Sequence, residues 1–291
     1  MKNNWTQKRS GDFGASSSLI TDFVTFDIET VLINNKITPY LISAFNGTDY
    51  IESFGNNQQE LFSNFIKGLL TFFNDKNKTL TVYAHNFSKF DGLFILKHLL
   101  PFGIVDPLLF NGKLITIKLK LNIEGCEHSG KTIIFKDSFL LLPSSLRSLA
   151  LIYNLTDIKG IFPYKLNDIF YNGVFPRFEY FNDLTIEQYV SLSKSFVDKE
   201  WNFKNEAVKY CKLDCKVLHE ILTKFNELIF NKWKINIHKC LTLPSLTMKL
   251  FKTHYMPENT VYQLHGVIEK NIRLSYTGWP PVKTCGCVYP S

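Results

Sequence analysis

The sequence predicts an α/β fold, a mixed sheet flanked by helices, on three observations. Strand-like segments crowd the first half of the chain and helical periodicities the second, an order that builds one sheet with helices packed on it. Three β-rich runs follow one another between residues 22 and 54: DFVTFDI, ITPYLISAF and YIESF. Apolar residues then recur at helical spacing over 58–73, through Leu61, Phe62, Phe65, Ile66, Leu69, Leu70 and Phe73. Further along, TLTVYAHN reads as a strand, and SKFDGLFILKHLL as a helix stopped by Pro101. IVDPLLF, KLITIKLKLNI and KTIIFKD read as strands joined by Gly/Asn turns. Helices are expected at 144–152, 185–197, 203–232 and 244–254, and no internal repeat is visible.

Composition narrows the class. The 291 residues are 45% hydrophobic with 26 Phe, enough to fill a large core and unlike a disordered chain. No apolar run is long enough to span a bilayer, so no membrane partner is expected. The net charge of +7 suits a polyanionic partner such as nucleic acid, a weak argument alone. Four of the 33 basic residues are Arg, and Asn, Ile and Phe abound, as in an AT-rich coding sequence. The six cysteines lack C-x2-C spacing, and Cys285 and Cys287 have no second half, so a zinc framework is not expected and a reducing compartment is. Cys211 and Cys215 read as packed thiols on a helix. Residues 1–20, basic and then Ser/Gly-rich, are expected to be a disordered arm.

VTFDIET, residues 24–30, carries Asp27 and Glu29 two apart in an apolar strand. They share a face with Phe23 and Thr25, while Val24, Phe26 and Ile28 point the other way. The plain reading is a half-buried strand with a wet polar face. The sharper one is a carboxylate pair aimed at a metal. A second acid, Asp91, stands where YAHNFSKFDGLF passes from strand to helix, a place that capping and the helix dipole also explain. The third lies on the longest helix. Its stripe runs Ala207, Cys211, Asp214, Leu218, Ile221, Phe225, Leu228, and Asp214 is the charged member. A buried carboxylate needs a partner. Tyr210 lies one turn before it, on the same face. Four carboxylates on neighbouring elements can hold two divalent ions about 3.5–4 Å apart, and hard oxygen ligands suit Mg2+ or Mn2+. Asn86 and Phe90 stand where they could grip a terminal nucleotide by hydrogen bonding and stacking.

The order D-x-E, then N-x3-F-D, then Y-x3-D resembles the three exonuclease motifs of family B DNA polymerases. It is closest to the protein-primed branch of linear mitochondrial plasmids, some phages and adenoviruses. DSFLLLPSSLRSLA (137–150), KGIFPYK (159–165) and LTLPSL (241–246) also look like that group. The resemblance covers about residues 20–278. It implies an RNase H-like, DnaQ-like exonuclease fold with a helical C-terminal extension, and 3′-to-5′ removal of nucleotides from single-stranded DNA during replication. It implies catalytic, metal-binding roles for Asp27, Glu29, Asp91 and Asp214, with Tyr210 assisting the water. It implies DNA contacts for Asn86, Phe90, Ser145 and Leu146, and a supporting role for Lys159.

On the same resemblance, residues 21–233 are expected to form the exonuclease domain and 234–278 the connection to a polymerase domain. IRLSYTG (272–278) resembles the segment that opens that domain with Y-x-G-G, but Trp279 stands at the second Gly and no paired-Asp polymerase site follows. The expectation is an exonuclease region truncated before the palm, with 279–291 an atypical tail. The implied partners are a single-stranded DNA 3′ end and either a terminal protein primer or a separate polymerase fragment. The implied location is the mitochondrion. The alternative is an inactive remnant that only binds single-stranded nucleic acid.

Overall fold

The computed structural model describes residues 6–7, 15–74, 77–156, 160–182, 184–197, 199–256, 262–263 and 266–276. The strands are β1 (Thr6–Gln7), β2 (Val24–Ile33), β3 (Lys36–Phe45), β4 (Tyr50–Phe54), β5 (Thr79–Ala84), β6 (Gly103–Phe110), β7 (Lys113–Leu121), β8 (Thr132–Asp137), β9 (Asn172–Gly173), β10 (Trp201–Asn202) and β11 (Tyr262–Gln263). The helices are α1 (Gln58–Leu70), α2 (Asp91–Ile95), α3 (Leu146–Ile152), α4 (Ile186–Lys194), α5 (Phe203–Trp233), α6 (Leu243–His254) and α7 (Gly266–Tyr276), with short 3-10 turns between them. The fold divides into two compact units, one of Ser18–Leu246 and one drawn from Met1–Ser17 and Thr247–Ser291. In the second, β1 pairs antiparallel with β11.

The first unit is built on a seven-stranded sheet in the order β4-β3-β2-β5-β8-β7-β6. β2, β5 and β8 run parallel at its centre, and hairpins extend it on both sides. Residue chemistry sets the hairpins. Asn34 and Asn35, between β2 and β3, both have positive φ, and so do Asn111 and Gly112 between β6 and β7. Two successive left-handed residues match the twist of paired strands, and Asn and Gly tolerate them best.

Alternation along β2 sends its two sets of side chains into two cores. Val24, Phe26 and Ile28 join Phe62, Phe65, Ile66 and Leu69 of α1 in the larger one. The opposite face is largely covered, with Thr25 and Glu29 buried and Asp27 half-buried. α5 crosses it, and the Thr25 hydroxyl donates to the main-chain oxygen of Cys215 at 2.8 Å. The wet-face reading of VTFDIET is thus overturned, because a 31-residue helix covers that face.

The α5 stripe is buried as expected through Phe225, but Leu228 is 56% exposed and Ile229 takes its place inside. A straight helix turns by 3.6 residues, so the last step of the inner face is four residues, not three. The helix expected over SKFDGLFILKHLL is shorter than its pattern. Residues 85–90 are turn, α2 holds five residues, and 3-10 segments follow to Phe102.

The packed unit also extends past the expected domain limits. Asn236 holds its N-terminal edge, accepting from the Ile20 amide at 2.7 Å and donating to the Ser18 carbonyl at 2.9 Å. Ile237, His238 and Cys240 are buried beyond the end of α5. No helix among the described residues is long and apolar enough to cross a membrane.

Candidate active site

The candidate site draws on the middle of β2, the start of α2 and the first half of α5. Asp27 is half-buried and Glu29 is 8% exposed. The register shifts just after them, between Glu29 and Thr30, where β2 bulges against β3. A bulge re-aims side chains at the edge of a site. A carboxylate oxygen of Asp27, one of Glu29 and the Cys211 sulfur lie within 4.8 Å of one another.

Asp91 opens α2 and is 2% exposed. Burial first, and then the Asp27 charge, hold its carboxyl well above the usual range. Main-chain amides of Asp91 and Ile28 pull the other way, and Asp137 adds to the upward push. Oδ1 of Asp91 is buried with no hydrogen-bond partner. An ionised carboxylate in that position is costly unless a cation joins it.

Asp214 is 6% exposed on α5 and neighbours the Tyr210 hydroxyl. Burial and then the Asp214 charge push the Tyr210 phenol far up, with Tyr164 and Glu29 adding to it. Cys215, one position on from Asp214, feels the charges of Asp27, Asp214 and Glu29. Asp27 and Glu29 thus lie together, the Asp27 charge reaches Asp91, and Asp214 acts with Glu29 on Tyr210 and Cys215. The donor set is carboxylate oxygens, and the buried Oδ1 of Asp91 has room in its bonding for a metal. The residues suit divalent cations such as Mg2+ or Mn2+.

Of the predicted nucleic-acid contacts, Asn86 and Phe90 lie on the strand-to-helix turn and Ser145 and Leu146 at the start of α3. Asn86 has φ 67°, a left-handed conformation that Asn accepts more readily than most residues. Its turn is pinned from below by Asp137 at the end of β8, which accepts from the amides of Ser88 and Phe139, both at 2.9 Å. Phe90 is half-buried and meets Phe94 edge-to-face at 5.1 Å. Ser145 is exposed and caps α3, accepting from the Ser148 amide at 3.2 Å. Leu146 packs beside Leu149, Ala150, Val217 and Ile221. Both therefore have local structural work of their own. Lys159 lies outside the described residues, but its neighbour Gly160 abuts the Tyr210 ring, where an added Cβ would come 3.1 Å from Cδ2.

Three residues of this site were not singled out by the sequence. Tyr164 hydrogen-bonds to Tyr210, hydroxyl to hydroxyl. The Tyr40 phenol is pushed up by burial and then by the Glu29 charge. Asp137 organises the Asn86 turn. Tyr164 and Asp137 lie in the companion segments KGIFPYK and DSFLLLPSSLRSLA, but only a fold brings them to the acids. Tyr40 carries no sequence signal beyond its strand.

The chain matches the family of type B DNA polymerases, organellar and viral, over residues 71–279. It is 32% identical over 256 residues to a probable DNA polymerase of Neurospora intermedia, covering 84% of this chain and 26% of that protein. It is also 32% identical over 273 residues to one of Ascobolus immersus, covering 87% of this chain and 22% of that protein. The chain thus spans about a quarter of the length of these relatives. Among solved structures, it is similar to Phi29 DNA polymerase complexed with primer-template DNA. The TM-score is 0.50 at 18% identity, covering 88% of this chain and 39% of that one. That likeness bears out the RNase H-like fold expected from the motifs. With the family match spanning most of its length, the chain belongs to the organellar and viral type B DNA polymerases.

Proposed function

We propose that this chain carries the 3′-to-5′ exonuclease portion of a protein-primed type B DNA polymerase and removes nucleotides from the 3′ end of single-stranded DNA. The observation that carries the reading is that acids from three separate elements influence one another: Asp27 and Glu29 lie together, the Asp27 charge acts on Asp91, and the Asp214 and Glu29 charges act on Tyr210. Such a concentration of negative charge in a phosphodiester-binding site makes sense only if cations neutralise it.

Asp27, Glu29, Asp91 and Asp214 would hold the metals. Mg2+ or Mn2+ bound there supplies an activated water and neutralises charge on the leaving oxygen. Tyr210 keeps its phenolic proton and orients the attacking water through its hydroxyl. Tyr164 fixes that hydroxyl from the other side. Asn86 and Phe90 grip the terminal nucleotide, with Ser145 and Leu146 along the strand and Lys159 at a phosphate. The partners in this reading are a single-stranded 3′ end and either a terminal protein or a separate polymerase fragment. The place of action in this reading is the mitochondrion.

The experiment is a degradation assay on 5′-labelled single-stranded DNA with Mg2+ or Mn2+, comparing the wild type with Asp27→Ala/Glu29→Ala. The expected result is a stepwise ladder that the double variant abolishes. A folded wild type that binds the oligonucleotide but yields no ladder sinks the catalytic reading and leaves a binding remnant.

A further inference from the structure

One side chain beside Asp27 and Glu29 does not belong to a set of hard oxygen ligands. Cys211 is wholly buried on α5, between Tyr210 and Asp214. Its thiol donates to the main-chain oxygen of Asp27 at 3.5 Å. Its sulfur also forms, with carboxylate oxygens of Asp27 and Glu29, a group whose members all lie within 4.8 Å of one another. Mg2+ gains little from sulfur, whereas thiolates select zinc-like ions. Asp91, on which the Asp27 charge acts, adds a second unneutralised acid to the neighbourhood. It is 2% exposed and next to Asp27, and its Oδ1 is buried without a hydrogen-bond partner.

We propose that Asp27, Glu29 and Cys211 form a binding site for a thiophilic divalent ion of the Zn2+ or Cd2+ class. The inference rests on the reading of Asp27 and Glu29 as metal ligands and deepens it. The same two carboxylates serve hard and soft ions, and Cys211 sets the balance, so a thiophilic ion competes with Mg2+ for them. A tetrahedral zinc ion, with Zn–S about 2.3 Å and Zn–O about 2.0–2.2 Å, holds its ligand atoms roughly 3.5 Å apart. The three side chains therefore close inwards by about an ångström or less. The ion replaces the thiol proton, which leaves to solvent, so nothing is oxidised or reduced. The cost of a buried thiolate is met by the metal bond itself.

The test titrates the metal-stripped full chain with Cd2+ and follows thiolate-to-metal charge-transfer absorption in the ultraviolet. Wild type is compared with Cys211→Ser, the other five cysteines being unchanged in both. A saturable one-ion component present in the wild type and missing from Cys211→Ser is expected. Asp27→Asn, which keeps the sulfur, should weaken that component about tenfold or more. Identical titrations of wild type and Cys211→Ser overturn the proposal. If circular dichroism shows that Cys211→Ser does not fold, Asp27→Asn decides, and unchanged Cd2+ affinity in it overturns the proposal equally. Mg2+-dependent digestion by a wild type without the Cys211 component sinks this inference and leaves the nuclease reading standing. The component without digestion does the reverse.

Discussion

The hydroxyl of Tyr164 donates a hydrogen bond to the hydroxyl of Tyr210. The second ring is thereby oriented by a residue 46 positions away in sequence. Phe162 packs on the same ring at 5.6 Å, and Gly160 leaves space for it. Burial first and the Asp214 charge second keep the Tyr210 phenol protonated at any physiological pH. In the proposed reaction its part is to point a hydroxyl rather than to take a proton.

Removing that hydroxyl should therefore slow digestion without unmaking the site. Tyr210→Phe is expected to lower the single-strand digestion rate about 10²-fold, the usual cost of one oriented polar group at a reacting centre. Tyr164→Phe should cost less, since Tyr210 keeps its hydroxyl and loses only its anchor. Both variants should melt within about 1 kcal/mol of the wild type. Equal rates for all three proteins would show that this tyrosine pair plays no part.

Asp91 predicts an opposition between stability and activity. Its carboxyl is buried beside Asp27, and its Oδ1 lacks a partner. Asp91→Asn should stabilise the metal-free protein by ~0.5–2 kcal/mol, as relief of a strained functional site commonly does. The same change should abolish metal-dependent digestion. Added Mg2+ should raise the melting temperature of the wild type more than that of the variant, because it binds the folded wild type better. Thermal melts in EDTA and in Mg2+ read both effects.

The core elements and the acids were legible because each has a periodic or positional signature. Phe26 and Ile28 alternate with Asp27 and Glu29, and Ala207, Cys211 and Asp214 recur on a helix face. The helix over 88–100 was overread because its apolar residues suit 3-10 turns as well as an α-helix, and hydrogen bonding decides between them. The covered face of β2 was misread in its plain form because alternation says which residues share a side, not what packs there. Tyr164, Tyr40 and Asp137 were missed for a related reason. Each is an ordinary residue that acquires its role from a neighbour far away in the chain.

A cluster around Phe23 is expected to set the acid limit of the fold. Phe23 lies between His219, stacked at 4.2 Å, and His238 at 4.5 Å. Lys136 donates to the His238 carbonyl, and Tyr83 meets the His238 ring at 3.2 Å. Burial drives His219 down to about 4. Burial, then Lys136 and His219, drive His238 down to about 3. Below the ordinary histidine value of 6.5 the unfolded chain binds protons that the folded one refuses. This stability is fully present above pH 6.5, declines below it, and is lost as pH falls through about 4 and 3. A loss on the order of a few kcal/mol is expected between pH 7 and pH 4. Urea unfolding of His219→Gln/His238→Asn should show a lower stability at pH 7 and a flatter pH profile. A profile as steep as the wild type would place the acid limit elsewhere.

Asn86 separates backbone from side chain. Its positive φ suits Asn and Gly but strains Ala. Asn86→Ala should destabilise the fold by ~1 kcal/mol, and Asn86→Gly should not. Both should weaken binding of a single-stranded oligonucleotide in EDTA if the amide touches DNA. Phe90→Ala should raise the same Kd by roughly 5- to 100-fold, the worth of one base stacked on an aromatic ring. Fluorescence anisotropy with all three variants decides whether the rim of the turn is a nucleotide grip.

Gly92 couples packing to the site most directly. It follows Asp91 in α2, and an added Cβ would lie 2.6 Å from Leu114 Cδ2, 2.9 Å from the Phe87 carbonyl oxygen and 3.1 Å from Phe87 Cε1. Leu114 is a side chain and can give way. The Phe87 carbonyl cannot, because it accepts the Gly92 amide at 2.9 Å and so closes the turn that leads into Asp91. Gly92→Ala must therefore push α2 away from the sheet, and Asp91 moves with it. Overpacking of this kind costs about 1–3 kcal/mol. A shift of an ångström at a catalytic carboxylate is expected to slow digestion about 10²-fold. Purified Gly92→Ala should thus melt earlier and digest more slowly while retaining every predicted metal ligand. A variant that melts early yet digests at the wild-type rate would show that Asp91 tolerates displacement, and would remove it from the metal-binding set.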